Sequence, residues 1–158
     1  MSRHKYSIGL IISVLGVLAW YWFRPELLFV NARVNESFPA AGQEKERSLA
    51  MGSFHGVAHE TRGTATIHQL AGGKKVLRFT DFQTSNGPAL HVYLVAAPDA
   101  RDNATVTQAG FIDLGDLKGN IGDQNYELPA NVDLGKYQSV SIWCQRFGVN
   151  FAAAPLVQ

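Results

Sequence analysis

The sequence predicts an all-β fold, a single antiparallel β-sandwich or small barrel, preceded by one N-terminal transmembrane helix. The helix is indicated by residues 6–23, which include no charged side chain. The β domain is indicated by the chain after Leu49, where short β-prone segments recur at roughly 8–12-residue spacing and no long window has helical periodicity. The chain therefore divides into a cytoplasmic N-terminus with its anchor (residues 1–24), a stalk or linker (25–48) and a β domain (49–158).

The N-terminal segment has the features of an uncleaved anchor. As a helix, residues 7–23 span roughly 25 Å, which is within tolerance for a bilayer core. Residues 20–23 supply an interfacial aromatic belt, and Arg24 and Pro25 end the segment. Because Arg3 and Lys5 precede the apolar run, the positive-inside rule predicts a single-pass protein of the cell membrane, with its domain in the periplasm or outside the cell.

Two other interpretations of the N-terminus stay open, a cleaved signal peptide and a cytosolic chain. The small-residue site at residues 30–32 lies well beyond the apolar run, which is itself long for a signal core. Cys144 is the only cysteine, so there is no N-terminal cysteine to lipidate. The formal net charge of +1 gives no basic footprint for nucleic acid.

The segments after the stalk are predicted to be strands. Residues 63–70 and 75–82 flank a Gly-Gly turn and make the best hairpin in the chain. Residues 90–96 are almost continuously apolar, which favours a strand that has both faces covered or lies centrally in a sandwich. Further short strands are expected at residues 110–115 and 124–129, around a turn at 119–123, and then at residues 137–144 and 147–151.

Cys144 is the best candidate for a functional residue. A lone thiol has no partner for an internal disulfide, so it is a buried side chain, a ligand, a reactive thiol or a partner for another chain's cysteine. If the strand continues through Arg146, its guanidinium shares a face with Cys144 and favours the thiolate, whereas a turn at Arg146 removes that geometry. Burial without reactivity is the alternative, since free cysteine is among the most buried residue types.

The histidines give only weak metal candidates, which are His55, His59 and His91. His55 and His59 have a spacing that suits a helix, but glycines surround them and favour a loop. A blue-copper site is disfavoured because neither histidine nor methionine follows Cys144. The aspartates at residues 81, 99, 113 and 123 are interpreted as residues of turns and strand ends. The sequence also lacks the common hydrolase, metalloprotease, phosphate-loop and dithiol motifs, which favours a chain that is not a stand-alone enzyme.

Three segments together resemble the DM-thirteen domain family, in its bacterial membrane-anchored form. The resemblance covers residues 51–156, and its most specific part is the string Ile-Trp-Cys-x-x-Phe-x-Val-x-Phe at residues 142–151. One of the other two segments is Phe-His-Gly-Val-Ala-His-Glu-Thr-Arg-Gly-Thr-Ala-Thr-Ile at residues 54–67. The other is Val-Leu-Arg-Phe-Thr-Asp-Phe at 76–82 with Ser-Asn-Gly-Pro at 85–88, which runs into Leu-His-Val-Tyr-Leu at 90–94.

The resemblance implies a small extracytoplasmic β-rich domain with a role in electron transfer, in which the cysteine matching Cys144 is the proposed redox residue. The family occurs in animals beside DOMON and b-type cytochrome modules. This chain departs from the family pattern at Ala89, where the family commonly has aspartate, and at Ala152, where it often has glycine. No ligand or proton-handling role is therefore carried over to residue 89.

Two functions follow as hypotheses. In the first, the chain is a membrane-tethered redox domain with its thiol centre at Cys144, modulated by Arg146, and a redox or envelope protein as its partner. In the second, it is a non-catalytic β-sandwich that binds an envelope protein or glycan through loops such as residues 97–103, and Cys144 only packs. No cofactor is identified from the sequence.

Overall fold

The computed structural model describes residues 3–23, 30–39 and 46–158. Its first element is a helix, α1 (Arg3–Phe23), in the region where a helix was predicted. Within the described ranges, however, none of the helices combines the length and the apolar character that a membrane crossing requires. The predicted transmembrane span is therefore not supported. Gly9, Ser13 and Gly16 interrupt the aliphatic run, and Ser13 Oγ donates a hydrogen bond to the Gly9 carbonyl (3.0 Å).

The β domain is a sandwich of two open antiparallel sheets. In the described part of the chain, one sheet has the order β1-β3-β4-β7 and the other the order β2-β9-β8-β5-β6. Neither order closes on itself, so the sandwich prediction is confirmed and the alternative of a small barrel is wrong. The strands are β1 (Arg47–Ser53), β2 (His55–Gly56), β3 (Arg62–Gln69), β4 (Lys75–Gln83), β5 (Leu90–Val95), β6 (Phe111–Asp116), β7 (Gln124–Glu127), β8 (Ser139–Cys144) and β9 (Val149–Pro155).

The predicted hairpin is confirmed as β3 and β4, which pair in the register Ile67 opposite Leu77. A short turn at Ala71–Gly73 joins them, and Gly72 and Gly73 adopt φ values of 80° and 85°. This left-handed backbone is strained for other residues, which explains the Gly-Gly pair. The apolar strand β5 is likewise confirmed as central, because it pairs with β6 on one side and β8 on the other.

Alternation along β8 separates two apolar layers. Val140, Ile142 and Cys144 point into the main core between the two sheets. Trp143 points to the outer face of the five-stranded sheet, where a smaller apolar cluster lies under a short helix, α2 (Asn103–Ala109). Helical periodicity did not reveal α2 because it is only two turns long. Its signals are the Asp102 cap, whose Oδ1 accepts from Thr105 N at 2.7 Å, and Gly110 after its end.

Two predictions of local connection differ from the structure. The strands around residues 119–123 do not pair with each other, because β6 joins β5 in one sheet and β7 joins β4 in the other. The segment between them crosses from sheet to sheet instead of making a hairpin turn. Phe147, predicted at the start of the last strand, lies in the turn at residues 145–148, and β9 runs from Val149 to Pro155.

Residues 30–39, here called the strap, lie against the sandwich, although the sequence predicted a stalk there. Val34 N donates to the Ile121 carbonyl (2.9 Å) and Glu36 N to the Asp123 carbonyl (2.9 Å). Gly122 has a φ of 103°, and a Cβ at this position would collide with the Val34 carbonyl oxygen. The strap is therefore packed as part of the domain. β1 also begins inside the predicted stalk, and residues 25–29 and 40–45 of that prediction lie outside the described residues.

Candidate functional site

Cys144 is a free thiol with no exposed surface. It ends β8 and lies in register between Leu90 of β5 and Val149 of β9, within the main core. Apolar packing on the inner face of the sheet accounts for this placement, since alternate residues of β8 point inward. Reaction of the thiol with a large oxidant or a partner's thiol therefore requires local opening of the end of the β8–β9 hairpin.

Arg146 does not continue β8. It lies in the exposed turn at residues 145–148, and its Nη1 donates a hydrogen bond to the Trp22 carbonyl of α1 (2.8 Å). Arg146 was expected to favour the Cys144 thiolate only if one strand carried both side chains on the same face. The structure instead has the turn that the sequence left open as the alternative.

The three candidate histidines lie in three different environments. His55 Nε2 is 2.9 Å from Asp99 Oδ1, and the His59 ring packs on the Phe151 ring with 3.9 Å between centroids. His91 lies on the outer face of the sheet opposite Trp143, whereas Cys144 points inward.

This separation has a consequence for metal binding. Strands β2 and β5 are three strand spacings apart, or about 14 Å, which keeps His55 and His91 from one ion. Among the described residues, no group of three histidine, cysteine or acidic side chains is arranged to hold a metal ion.

A stack of aromatic rings covers the outer face of the five-stranded sheet. The Tyr93 ring is parallel to the Phe111 ring, with 4.1 Å between centroids and 3° between planes. Trp143 lies on the neighbouring strand, with its ring 6.2 Å from that of Tyr93 and inclined by 21°. Tyr93 is only 3% exposed, whereas Phe111 is 43% exposed. Phe111 therefore links a buried phenol to the protein surface.

Polar groups surround the phenol at the edge of this stack. Gln145 Nε2 donates to Tyr93 Oη (3.0 Å) and to Asp113 Oδ2 (3.1 Å). His91 lies between two carboxylates, with Nδ1 at 3.1 Å from Asp113 and Nε2 at 2.9 Å from Asp116. We call the following six residues the outer-face site: His91, Tyr93, Phe111, Asp113, Trp143 and Gln145.

Burial sets the protonation of the phenol. It raises the pKa of Tyr93 above its ordinary value of 10.0, and the negative charge of Asp113 adds to this rise. The hydrogen bond from Gln145 opposes these effects without reversing them. Tyr93 is therefore a neutral phenol over the whole physiological pH range.

Sequence reasoning missed this site because it assigned Asp113 to a turn or strand end and gave Gln145 no role. The turn assignment was partly correct, since Asp113 Oδ1 accepts a hydrogen bond from Gly115 N (2.8 Å). The signal that points to the site is strand register. Pairing of β5 with β6 puts Asp113 opposite Tyr93, and this register follows only once the two strands are known to be neighbours.

A cleft of about 740 Å³ opens elsewhere, at the end of the sandwich that carries the loop between β2 and β3. Its lining includes His59, Glu60, Arg62 and Thr84, and it includes neither Cys144 nor any residue of the outer-face site. The cleft is shallow and its lining carries charges of both signs, so its size alone does not identify it as the functional site. The outer-face site is the better candidate, since tyrosine and tryptophan are among the side chains that give up single electrons most readily.

Comparison with known proteins agrees with this chemistry. No curated protein and no solved structure is significantly similar to the chain. The sequence profile of one family, described as Electron transfer DM13, matches residues 53–156, which include every strand from β2 to β9. The chain therefore belongs to the electron-transfer DM13 family, which the sequence resemblance had indicated.

Proposed function

We propose that this chain is an electron-transfer domain that exchanges electrons with a partner protein at its outer-face site, with Cys144 as a redox residue behind it. One observation carries the proposal. Three oxidisable side chains lie across one sheet: the Tyr93 and Trp143 rings are 6.2 Å apart on its outer face, and Cys144, the next residue along β8, lies on its inner face. Electron tunnelling slows steeply with distance, so such short steps favour transfer.

The exposed ring of Phe111 supplies a place for a partner to dock. A partner that covers Phe111 comes within one ring's thickness of Tyr93, since these two rings are stacked at 4.1 Å. Transient redox complexes bury small interfaces, and a single aromatic contact with a polar rim suits them. The carboxylates of Asp113 and Asp116 form part of that rim, which favours a partner with basic groups around its redox centre.

Voltammetry of the full chain adsorbed on an electrode tests the proposed function. We expect a reversible response in the wild type that is lost in Cys144→Ala and is retained in Val140→Ala, a matched change on the inner face of β8. Circular dichroism establishes that both variants fold. An unchanged response in Cys144→Ala contradicts the role of the thiol. No response from the wild type contradicts the electron-transfer function itself.

A second candidate function is a non-catalytic binding module in which Cys144 only packs. The observation that favours it is the complete burial of the thiol. The predicted binding loop at residues 97–103 is anchored, because Asn150 Nδ2 donates to the Ala100 carbonyl (2.6 Å) and Asp99 contacts His55 (2.9 Å). A wild-type chain that is silent on the electrode, and whose thiol reacts only after unfolding, supports this candidate.

We also propose that the domain lies outside the cytoplasm and is held at a membrane through α1. The support is the uncharged run at residues 6–23 and the exposure of the large apolar side chains from Ile8 to Trp22. Cell fractionation tests the location, with protease treatment of intact cells or spheroplasts. We expect the full chain to sediment with membranes and a chain that lacks residues 1–23 to be released. Recovery of the full chain in the soluble fraction contradicts this location.

A further inference from the structure

We infer that Tyr93 is a one-electron relay residue, which passes an electron to a high-potential one-electron oxidant docked over Phe111. This inference rests on the proposed function, because it assigns the electron path of the same site. The family membership names electron transfer but no residue that carries the electron.

The geometry favours Tyr93 over the other aromatic side chains of the domain. Its ring is in contact with Phe111 on one side and approaches Trp143 on the other. Phe111 is difficult to oxidise, so it acts only as the surface contact. Trp143 lies on β8, on the far side of β5 from Phe111, so Tyr93 is the oxidisable ring in contact with Phe111.

The step balances as the loss of one electron and one proton. Tyr93 gives its electron to the oxidant, which is reduced by one electron, and the phenol O–H bond breaks to leave a neutral tyrosyl radical. The proton is released to water at the edge of the site where the exposed Gln145 side chain reaches the phenol, because the Gln145 amide donates to both Tyr93 Oη and Asp113 Oδ2 and cannot carry a proton between them. The raised pKa of Tyr93 agrees with this coupling, since the phenol still holds its proton when the electron leaves.

Gln145 has a separate part in this arrangement. Its amide N–H donates to the phenol oxygen at 3.0 Å and remains in place after oxidation, because an amide does not lose its proton. The radical oxygen therefore keeps one hydrogen bond. We assign Gln145 as a positioning residue for the relay.

Tyr126 is a matched control within the same chain. It is also buried and hydrogen-bonded, with Oη donating to Gln124 Oε1 at 2.6 Å. It belongs to the other sheet, and Lys118 Nζ lies over its ring at 5.2 Å from the centroid. A cation in that position disfavours the loss of an electron from the ring. The structure therefore separates an oxidisable buried tyrosine from a protected one.

Flash oxidation of the full chain with photogenerated ruthenium(III) tris-bipyridine tests the relay, with freeze-trapped radicals read by electron paramagnetic resonance. The background chain carries phenylalanine in place of Tyr6, Tyr21 and Tyr137, so that only the two buried tyrosines remain. We expect a tyrosyl signal that is lost on Tyr93→Phe and retained on Tyr126→Phe. Retention of the signal on Tyr93→Phe, or its loss on Tyr126→Phe, overturns the inference.

Two further variants examine the surroundings of the radical. Gln145→Leu is expected to raise the gx value of the radical in high-field spectra, because gx reports the hydrogen bond to the tyrosyl oxygen. Asp113→Asn is expected to slow radical formation, because it removes a negative charge from beside the phenol. An unchanged gx contradicts the role of Gln145, and an unchanged rate of radical formation contradicts the role of Asp113.

The outcomes separate this inference from the proposed function. A voltammetric response that disappears in Cys144→Ala, together with no radical at Tyr93, leaves the thiol function standing and overturns the relay. A radical at Tyr93, together with a voltammetric response that is unchanged in Cys144→Ala, leaves the relay standing and contradicts the role of Cys144.

Discussion

Replacing Glu36 by alanine tests whether the strap is part of the folded domain. The Glu36 carboxylate accepts hydrogen bonds from Lys118 Nζ at 2.8 and 2.9 Å and from the backbone N–H of Asn125 at 2.8 Å. The Glu36 carbonyl accepts another from Arg78 Nη1 at 3.1 Å. Glu36 is therefore the main polar attachment between the strap and the four-stranded sheet.

The magnitude of the effect follows from the exposure of these groups. The side chains of Glu36 and Lys118 are 34% and 41% exposed, so solvent screens the ion pair and it contributes only about 0.5 kcal/mol. The bond from the Asn125 amide to a carboxylate is charge-assisted and part-buried, and contributes about 1–1.5 kcal/mol. We therefore expect Glu36→Ala to lower the free energy of unfolding by about 1.5–2 kcal/mol.

Urea unfolding followed by tryptophan fluorescence measures this difference as a shift of the midpoint at constant slope. Glu60→Ala is the matched control, because the exposed Glu60 carboxylate makes no hydrogen bond or ion pair with the described residues, and its change should stay within about 0.5 kcal/mol. A loss below about 0.5 kcal/mol in Glu36→Ala refutes the reasoning. Residues 30–39 would then act as the predicted stalk and would not contribute to the stability of the domain.

Three further predictions concern the strap and the thiol. Burial raises the pKa of Glu36, but hydrogen bonds from Lys118 and Asn125 outweigh burial and lower the pKa from its ordinary 4.5. The free energy of unfolding of the wild type should therefore exceed that of Glu36→Gln by its full amount above pH 4.5, and this difference should shrink in more acidic urea titrations. A gap that widens on acidification contradicts this sign. Gly122→Ala should lower the free energy of unfolding by about 2 kcal/mol or more in the same assay. Gly110 also has a positive φ, but a Cβ there meets open space, so Gly110→Ala should lower it by only about 1 kcal/mol. Equal losses would show that the strap moves to make room for the added Cβ. Maleimide labelling of Cys144 should be slow in the native chain and fast in urea, and rapid native labelling would mean that the β8–β9 end opens readily.

A local sequence pattern was sufficient to predict those elements whose signals lie within a few residues of one another. The Gly-Gly turn defines the β3–β4 hairpin, and continuous apolar character identifies β5 as a strand covered on both faces. The period of two along β8 likewise predicts that Trp143 and Cys144 point to opposite faces of the sheet. In each case the side chains that fix the element are neighbours in sequence.

The features that sequence reasoning missed depend on contacts between distant residues. The strap is polar and weakly patterned, and it is held by backbone pairing with residues 121–123, for which side-chain periodicity gives no signal. Gly119 and Gly122 are local clues, because a Cβ at either position would collide with the strap, but glycine at a turn has many other causes. In the same way, Asp113 meets Tyr93 through the register of β5 with β6, which requires the sheet order.

The alternation of β8 also allows the two redox hypotheses to be examined separately. Trp143 and Cys144 are consecutive, yet one belongs to the outer cluster and the other to the main core. Trp143→Phe keeps an aromatic ring on the outer face and leaves the thiol in place, whereas Cys144→Ala leaves the aromatic stack in place. If electrons reach the thiol through the stack, Trp143→Phe should slow electron exchange in voltammetry without moving the midpoint potential, and Cys144→Ala should remove the response. Loss of the response in Trp143→Phe and its retention in Cys144→Ala would instead mean that Trp143 itself is the redox group, with Cys144 only packed behind it.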